Sequence, residues 1–109
     1  MAARYELFAG RDNQYYFSLH AVNDKIILQS EGYKAKISAL NGIESCRVNS
    51  PLDSRYSRLG AASSYWFVLK AANGEPIGRS ETYTTVQARE DGIESVKRNG
   101  PYALVVDRT

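Results

Sequence analysis

The amino-acid sequence predicts an α+β fold, with one antiparallel-rich sheet of about six or seven strands and two helices on one face. Residues 15–49 align without a gap on residues 65–99, and 14 of the 35 paired residues are identical, where average usage gives about two by chance. Each copy begins with alternating apolar residues and ends with helical spacing. Because 109 residues are too few for two independent domains, we expect both copies to share one core.

Alternation with a period of two predicts the strands of each copy. The face that carries Phe17 in the first copy and Phe67 in the second is apolar both times, so we expect it to be buried. The opposite face differs between the copies and is free to serve another purpose. The predicted strands span residues 4–8, 15–21 and 25–29 in the first copy and 55–59, 65–71 and 75–79 in the second, with a last strand at 102–106.

Turn residues join the second and third strands of each copy. Asn23-Asp24 and Asn73-Gly74 predict two-residue hairpins, because these residue types tolerate a positive φ. Pro76 has no N–H and is expected at the start of its strand.

A helix is predicted at the end of each copy, over residues 34–48 and 84–98. Gly42 and Gly92 occupy the same mid-helix position, where glycine costs about 1 kcal/mol relative to alanine. The expected compensation is a close approach of the helix backbone to the sheet, over a Tyr or Phe ring.

The ends of the predicted helices also carry signals. Thr84 with Gln87 suits a capping box at the second helix, with Thr85 and Ala88 as the alternative. Asn49 or Asn99, followed by proline two residues later, predicts a left-handed residue that ends each helix. We therefore expect one domain made of two repeats, at about residues 3–50 and 53–106, joined at 49–56.

The repeated motifs resemble a known family. Tyr-x-Phe-x-Leu-x-Ala-x-Asn, then Ile, then Ser-Glu-x-Tyr, then Asn/Asp-Gly-Ile-Glu-Ser occur twice, and Asn-Ser-Pro-Leu-Asp-Ser-Arg-Tyr (49–56) joins the copies. Over residues 3–105 this pattern is similar to the YegP-like family of tandem-repeat bacterial proteins, a domain of unknown function. The resemblance implies two β3-α-β units that share one sheet, with the strand after each helix exchanged between units. It implies no particular activity.

Composition excludes several classes of function. The net charge is +2, and basic and acidic residues are spread evenly over both halves of the chain, which argues against a dedicated nucleic-acid binder. The single cysteine, Cys46, lies on the apolar helix stripe and is expected to be a core residue. No apolar run of 18 residues and no export signal occur in the sequence, so we expect a cytoplasmic monomer without a cofactor.

Candidate catalytic groups are few. His20 is the only histidine; it has no Cys or His neighbours that would form a metal site, and we expect it to be an exposed strand residue. No phosphate-binding loop or nucleophile motif occurs. The repeated Ser-Glu-x-Tyr loops provide one possible paired site, although the serines and glutamates also suit the N–H groups at a helix start and the tyrosines suit packing on the sheet. These loops contain Ser30, Glu31, Tyr33, Ser80, Glu81 and Tyr83.

The variable sheet face is the other candidate site. If the two strands that carry it lie side by side, it forms a patch of aromatic and basic residues that can stack on a base or a peptide side chain. The leading hypothesis is a small non-catalytic domain that binds a protein, peptide or nucleic-acid partner through this open face. The alternative is a small-ligand binder or an enzyme that uses the paired loops. The predicted partner-binding residues are Tyr16, His20, Trp66, Val68 and Lys70.

Overall fold

The computed structural model describes residues 2–109. It contains seven strands, two α-helices and one 3-10 turn at Asp53–Arg55. The strands are β1 (Arg4–Ala9), β2 (Tyr15–His20), β3 (Ile26–Ser30), β4 (Tyr56–Ala61), β5 (Ser64–Lys70), β6 (Pro76–Arg79) and β7 (Leu104–Asp107), and the helices are α1 (Lys36–Asn49) and α2 (Val86–Asn99).

All seven strands form one sheet in the order β4-β5-β6-β3-β2-β1-β7. Neighbouring strands are antiparallel except β1 and β7, which are parallel. The strand that follows each helix joins the other repeat: β4 follows α1 and pairs with β5, and β7 follows α2 and pairs with β1. The predicted α+β class and the exchange of strands implied by the family resemblance are therefore confirmed.

Both helices pack on one side of the sheet, and a buried tyrosine bonds the end of each helix. Tyr5 in β1 donates its hydroxyl hydrogen bond to Gly100 O at 2.6 Å, and Tyr56 in β4 donates to Ser50 O at 2.6 Å. These two acceptor residues lie close together, since a Cβ on Gly100 would lie 2.7 Å from Ser50 Cβ. The ends of the two helices therefore meet between the first strands of the two repeats.

A single cluster of buried side chains lies between the sheet and the helices and draws on both repeats. Phe17 and Phe67 are buried, as their shared alternation predicts. Each phenylalanine ring contacts a helix at its own glycine: a Cβ on Gly42 would lie 3.0 Å from Phe17 Cε2, and one on Gly92 would lie 3.3 Å from Phe67 Cε2. The predicted close approach of helix backbone and ring is confirmed at both sites.

The predicted hairpin turns were wrong. The hairpins have three-residue loops and not two-residue ones: Ala21 N bonds Lys25 O at 2.8 Å, and only Asp24, with φ 72°, is left-handed in the first loop. A type I turn followed by one left-handed residue suits the twist of the strands as well as a primed turn does. In the second loop Gly74 occupies this position with φ 87°.

The helix ends also differ from the prediction. The alternative cap is the one present in α2: Thr85, and not Thr84, accepts a hydrogen bond from Ala88 N at 3.0 Å. Asn49 and Asn99 are helical rather than left-handed, and each donates from its side chain to the carbonyl four residues earlier, at 2.8 and 2.9 Å.

Candidate functional site

The helices leave the other side of the sheet uncovered, and we call this side the open face. Residues that pair directly across an antiparallel ladder point to the same side, so the register of the ladders identifies its members. They are Arg4, Glu6, Phe8, Tyr16, Ser18, His20, Gln29, Ser57, Leu59, Trp66, Val68, Lys70 and Arg79.

The predicted binding residues do not form one patch. The hypothesis placed β2 beside β5, whereas β3 and β6 lie between them. This part of the prediction is wrong because the return strands of the two hairpins, and not their first strands, pair across the repeat boundary. Tyr16 and His20 therefore lie in one half of the open face, and Trp66, Val68 and Lys70 lie in the other.

The half of the open face from the first repeat is an ion-pair network. Arg4 bonds Glu6 at 2.6 Å and Asp24 at 2.5 Å, and Arg108 bonds Glu6 at 2.8 Å. These bonds, that from Arg108 first, lower the pKa of the Glu6 carboxyl. The charges in this half are thus matched within the chain.

His20 lies inside this network. The prediction that it is exposed was wrong: only 9% of its surface is accessible. Its Nε2 lies 3.0 Å from Ser18 Oγ, and its ring nitrogens lie 3.9 Å from carboxylate oxygens of Glu6 and Asp24. Side chains that reach it from β1 and from the hairpin loop cover the ring.

The other half of the open face is apolar and basic, and we call it the Trp66 patch: Leu59, Trp66, Val68, Lys70 and Arg79. Leu59 pairs with Trp66 directly across the β4–β5 ladder, and Val68 pairs with Arg79 across the β5–β6 ladder. The Arg79 guanidinium lies 5.9 Å from the Trp66 ring centroid, in cation–π range. Within residues 2–109, neither Lys70 nor Arg79 makes an ion pair.

Tyr16 is the counterpart of Trp66 in the first repeat. Its ring stacks on Phe8 at 5.8 Å, and its hydroxyl donates a hydrogen bond to Asp12. Phe8 corresponds in the sheet to Leu59, since each pairs with the aromatic residue opposite. The fold therefore presents two equivalent aromatic positions, of which only that of Trp66 lies beside cations without a carboxylate partner.

The serines and tyrosines of the Ser-Glu-x-Tyr loops make internal contacts. Ser30 Oγ accepts from Phe17 N at 2.9 Å and donates to Glu31 O at 2.9 Å. Tyr33 bonds Tyr15 through both main-chain groups, at 2.7 and 2.8 Å, and its ring stacks on Phe17. Burial raises the pKa of the Tyr33 hydroxyl.

The second loop repeats these contacts. Ser80 Oγ accepts from Phe67 N at 3.0 Å and donates to Glu81 O at 2.7 Å. Tyr83 stacks on Phe67, and burial raises the pKa of its hydroxyl as well. The side chains of Glu31 and Glu81 remain exposed.

The cysteine is not placed for chemistry. Cys46 is fully buried in the shared core, where desolvation raises the pKa of its thiol to about 12. A thiol in this state is a poor nucleophile at neutral pH. Over residues 2–109, no group of three or more His, Cys, Asp or Glu side chains is placed to hold a metal ion.

A seam crosses the centre of the open face. β3 and β6 pair only through Gln29 with Arg79 and Ser30 with Gly78, and a groove opens at each end of this short ladder. The larger groove has a volume of about 560 Å³ and the smaller about 260 Å³. Gln29 and Arg79 line both grooves. The sequence analysis missed these two residues, because the contact depends on the pairing between repeats.

Comparison with known proteins identifies the family. The family described as a domain of unknown function (DUF1508) matches this chain twice, at residues 11–57 and 61–107. The chain belongs to this family. The family carries no assigned activity, so membership establishes the tandem architecture and leaves the function open.

Individual relatives agree with this assignment. A UPF0339 protein of Pseudomonas aeruginosa is 55% identical over 56 residues, and the UPF0339 protein YegP of Yersinia pestis is 50% identical over 52 residues. The matched segments span 51% and 46% of those relatives and 51% and 48% of this chain. The chain thus spans about half the length of the curated relatives it matches.

Solved structures show the same fold over the whole chain. The solution NMR structure of YegP from E. coli, a protein of unknown function, superposes with a TM-score of 0.93 at 48% identity, over 100% of this chain and 95% of that chain. A UPF0339 protein from Shewanella oneidensis gives a TM-score of 0.91 at 42% identity, over 98% and 92%. Among residues 2–109, neither helix has the length and hydropathy needed to cross a bilayer.

Proposed function

We propose that this domain is a non-catalytic binding module that docks a protein partner through the Trp66 patch. The partner presents apolar and acidic side chains to the patch. We further propose that the domain works as a monomer in the cytoplasm, with the central stripe of each helix, around Ile43 and Ile93, buried within the chain.

The difference between the two halves of the open face supports this proposal. The fold places an aromatic residue at the same point in both repeats, but in the first repeat the neighbouring cations bind Glu6 and Asp24. In the second repeat Lys70 and Arg79 have no carboxylate partner among residues 2–109. The exposed Arg79 and the half-buried Lys70 beside a half-buried indole favour an anionic partner with apolar groups. Trp and Arg are also the residue types that dominate binding energy at protein interfaces.

The alternative, a small-ligand binder or an enzyme on the paired loops, has weaker support. An enzyme needs a group that can take up protons or attack the substrate. In these loops the serine hydroxyls and tyrosine rings are held by internal contacts. Only Glu31 and Glu81 remain accessible, and each lines one of the two seam grooves.

The single tryptophan allows a direct test. Since Trp66 is the only tryptophan in the chain, its fluorescence reports binding at the patch. We expect a peptide of alternating Glu and Leu to change this fluorescence, with a response that falls as salt is added. The Lys70→Ala, Arg79→Ala double variant should lose the response. A stronger response to an oligothymidylate than to the peptide would replace the protein partner with a nucleic acid.

A matched pair of variants tests the proposal with natural partners. Trp66→Ser and Tyr16→Ser remove the aromatic side chain at equivalent positions of the two repeats. In affinity capture from a nuclease-treated extract, Trp66→Ser should lose the partner and Tyr16→Ser should keep it. Equal capture by wild type and Trp66→Ser would refute the role of the patch.

A further inference from the structure

The larger seam groove lies beside the Trp66 patch and has its own chemistry. Between the first half of β3 and the end of β6 the two strands separate, and this leaves the main chain of β3 without a neighbour on that side. The volume of about 560 Å³ lies within the range of ligand sites. The groove is lined by Asp24, Lys25, Ile26, Leu28, Gln29, Arg79, Ser80 and Glu81.

The smaller groove shows what makes the larger one distinct. The two are equivalent by the internal repeat, but Pro76 stands where the first repeat has Ile26. Proline has no N–H, yet Pro76 still pairs with Lys70, as Ile26 pairs with His20. Because the second repeat forms this ladder without an N–H at the equivalent position, the pairing of Ile26 with His20 needs no N–H from Ile26. The smaller groove therefore has no main-chain donor at Pro76, whereas the larger groove has one at Ile26.

The charges around the larger groove indicate the class of ligand. Lys25 and Arg79 are exposed cations, and Asp24 and Glu81 are exposed carboxylates. The lining also includes Leu28, which is fully buried. Asp24 bonds Arg4, whereas Glu81 makes no ion pair among residues 2–109 and would repel the phosphates of a nucleic acid. Both signs of charge beside an unpaired strand suit a polypeptide, which offers main-chain donors and acceptors together with side chains of both charges.

We infer that this groove binds an extended segment of a partner polypeptide, which adds main-chain hydrogen bonds to β3 in the manner of strand addition. The inference rests on the proposed function, because it states how the protein partner is held. Arg79 links the two sites: it stacks on Trp66 and lines the groove. The partner's main chain then lies in the groove while its apolar and acidic side chains contact the Trp66 patch.

A blocked tetrapeptide, acetyl-Lys-Val-Val-Glu-amide, tests the inference by NMR titration of the full chain. We expect shifts at the main-chain amides of Ile26, Leu28 and Glu81. An analogue in which one amide N–H is replaced by an ester oxygen should bind about fivefold to tenfold more weakly, since one hydrogen bond is lost. Equal binding of the ester analogue, or shifts confined to the outer edges of β4 or β7, would overturn the inference.

Substitutions at Ile26 supply a matched control. Ile26→Pro copies the residue found in the second repeat, so the fold should persist while tetrapeptide binding is lost; Ile26→Val should bind like wild type. Binding by a folded Ile26→Pro variant would contradict the inference, and the ester analogue decides the matter if that variant does not fold. Tyr16→Ser, in the other half of the open face, should bind the tetrapeptide like wild type. A wild-type protein that binds the tetrapeptide but shows no Trp66-dependent capture would refute the patch alone, so failure of the patch and failure of the groove are distinguishable.

Discussion

Substitution of Gly92 tests the packing of α2 on the sheet, and the contacts around this glycine indicate how large the change in the free energy of unfolding should be. A Cβ on Gly92 would lie 2.8 Å from Tyr83 Cζ, with the Tyr83 hydroxyl closer still, and 3.3 Å from Phe67 Cε2. The tyrosine has little room to retreat, because its main chain is bonded to Tyr65 at 2.8 and 2.6 Å and its ring stacks on Phe67. The clash must therefore be absorbed by the helix or by a shift of the ring.

The expected change in free energy of unfolding is the sum of two opposing effects. Alanine gains about 1 kcal/mol over glycine in a helix interior, while overpacking costs about 1–3 kcal/mol. Gly92→Ala should therefore destabilise by up to about 2 kcal/mol. Gly92→Leu, which adds three further carbons to the same space, should destabilise by about 2–4 kcal/mol.

A double-mutant cycle measured by urea denaturation separates the clash from the helix preference. In a Tyr83→Ala background the obstructing ring is gone, so Gly92→Ala should reverse sign and stabilise by about 0.5–1 kcal/mol. Additive effects of the two substitutions would refute the reasoning, because they would show that the ring and the helix backbone are not in contact. A melting temperature of Gly92→Leu within a degree of wild type would show the same.

Two further predictions concern acid stability and the repeats. Hydrogen bonds from Lys97 and then Arg58 lower the pKa of Asp53 from 3.8 to about 2. The stability that Asp53 contributes is therefore complete above pH 3.8 and is lost as the pH falls towards 2. Asp53→Asn and Lys97→Met should both flatten the stability–pH curve in this window, and an unchanged slope would count against the ion pair. We propose that the two repeats form one domain, so residues 1–50 alone should be unfolded or dimeric by circular dichroism and sedimentation; a stable monomeric half would disprove the shared core.

The internal repeat explains why much of the fold was predictable. Phe17 and Phe67 alternate with polar or variable residues in the same way, and Gly42 and Gly92 recur at one helix position. A feature kept in both copies must satisfy the same packing twice. The predictions made from these pairs were confirmed for that reason.

The features that escaped prediction depend on contacts between distant segments. His20 is covered by Arg4 and Glu6 from another strand, and period-two alternation does not reveal such cover. The approach of Arg79 to Trp66 requires the β5–β6 register, and the seam requires that β3 and β6 meet. Local sequence determines the strands and turns. The order of strands across the two repeats depends instead on the packing of both helices against one sheet.

The parallel pairing of β1 with β7 has a consequence for synthesis of the chain on the ribosome. β1 leaves the ribosome early, yet the strand at its outer edge is formed by residues 104–107. The hydroxyl of Tyr5 likewise cannot bond the carbonyl of Gly100 until that residue has been synthesised. Until those residues emerge, β1 has one unpaired edge, and such an edge is prone to pair with other chains. Completion of the sheet is therefore a late step in synthesis, and a chain that stalls in α2 exposes the edge of its first strand.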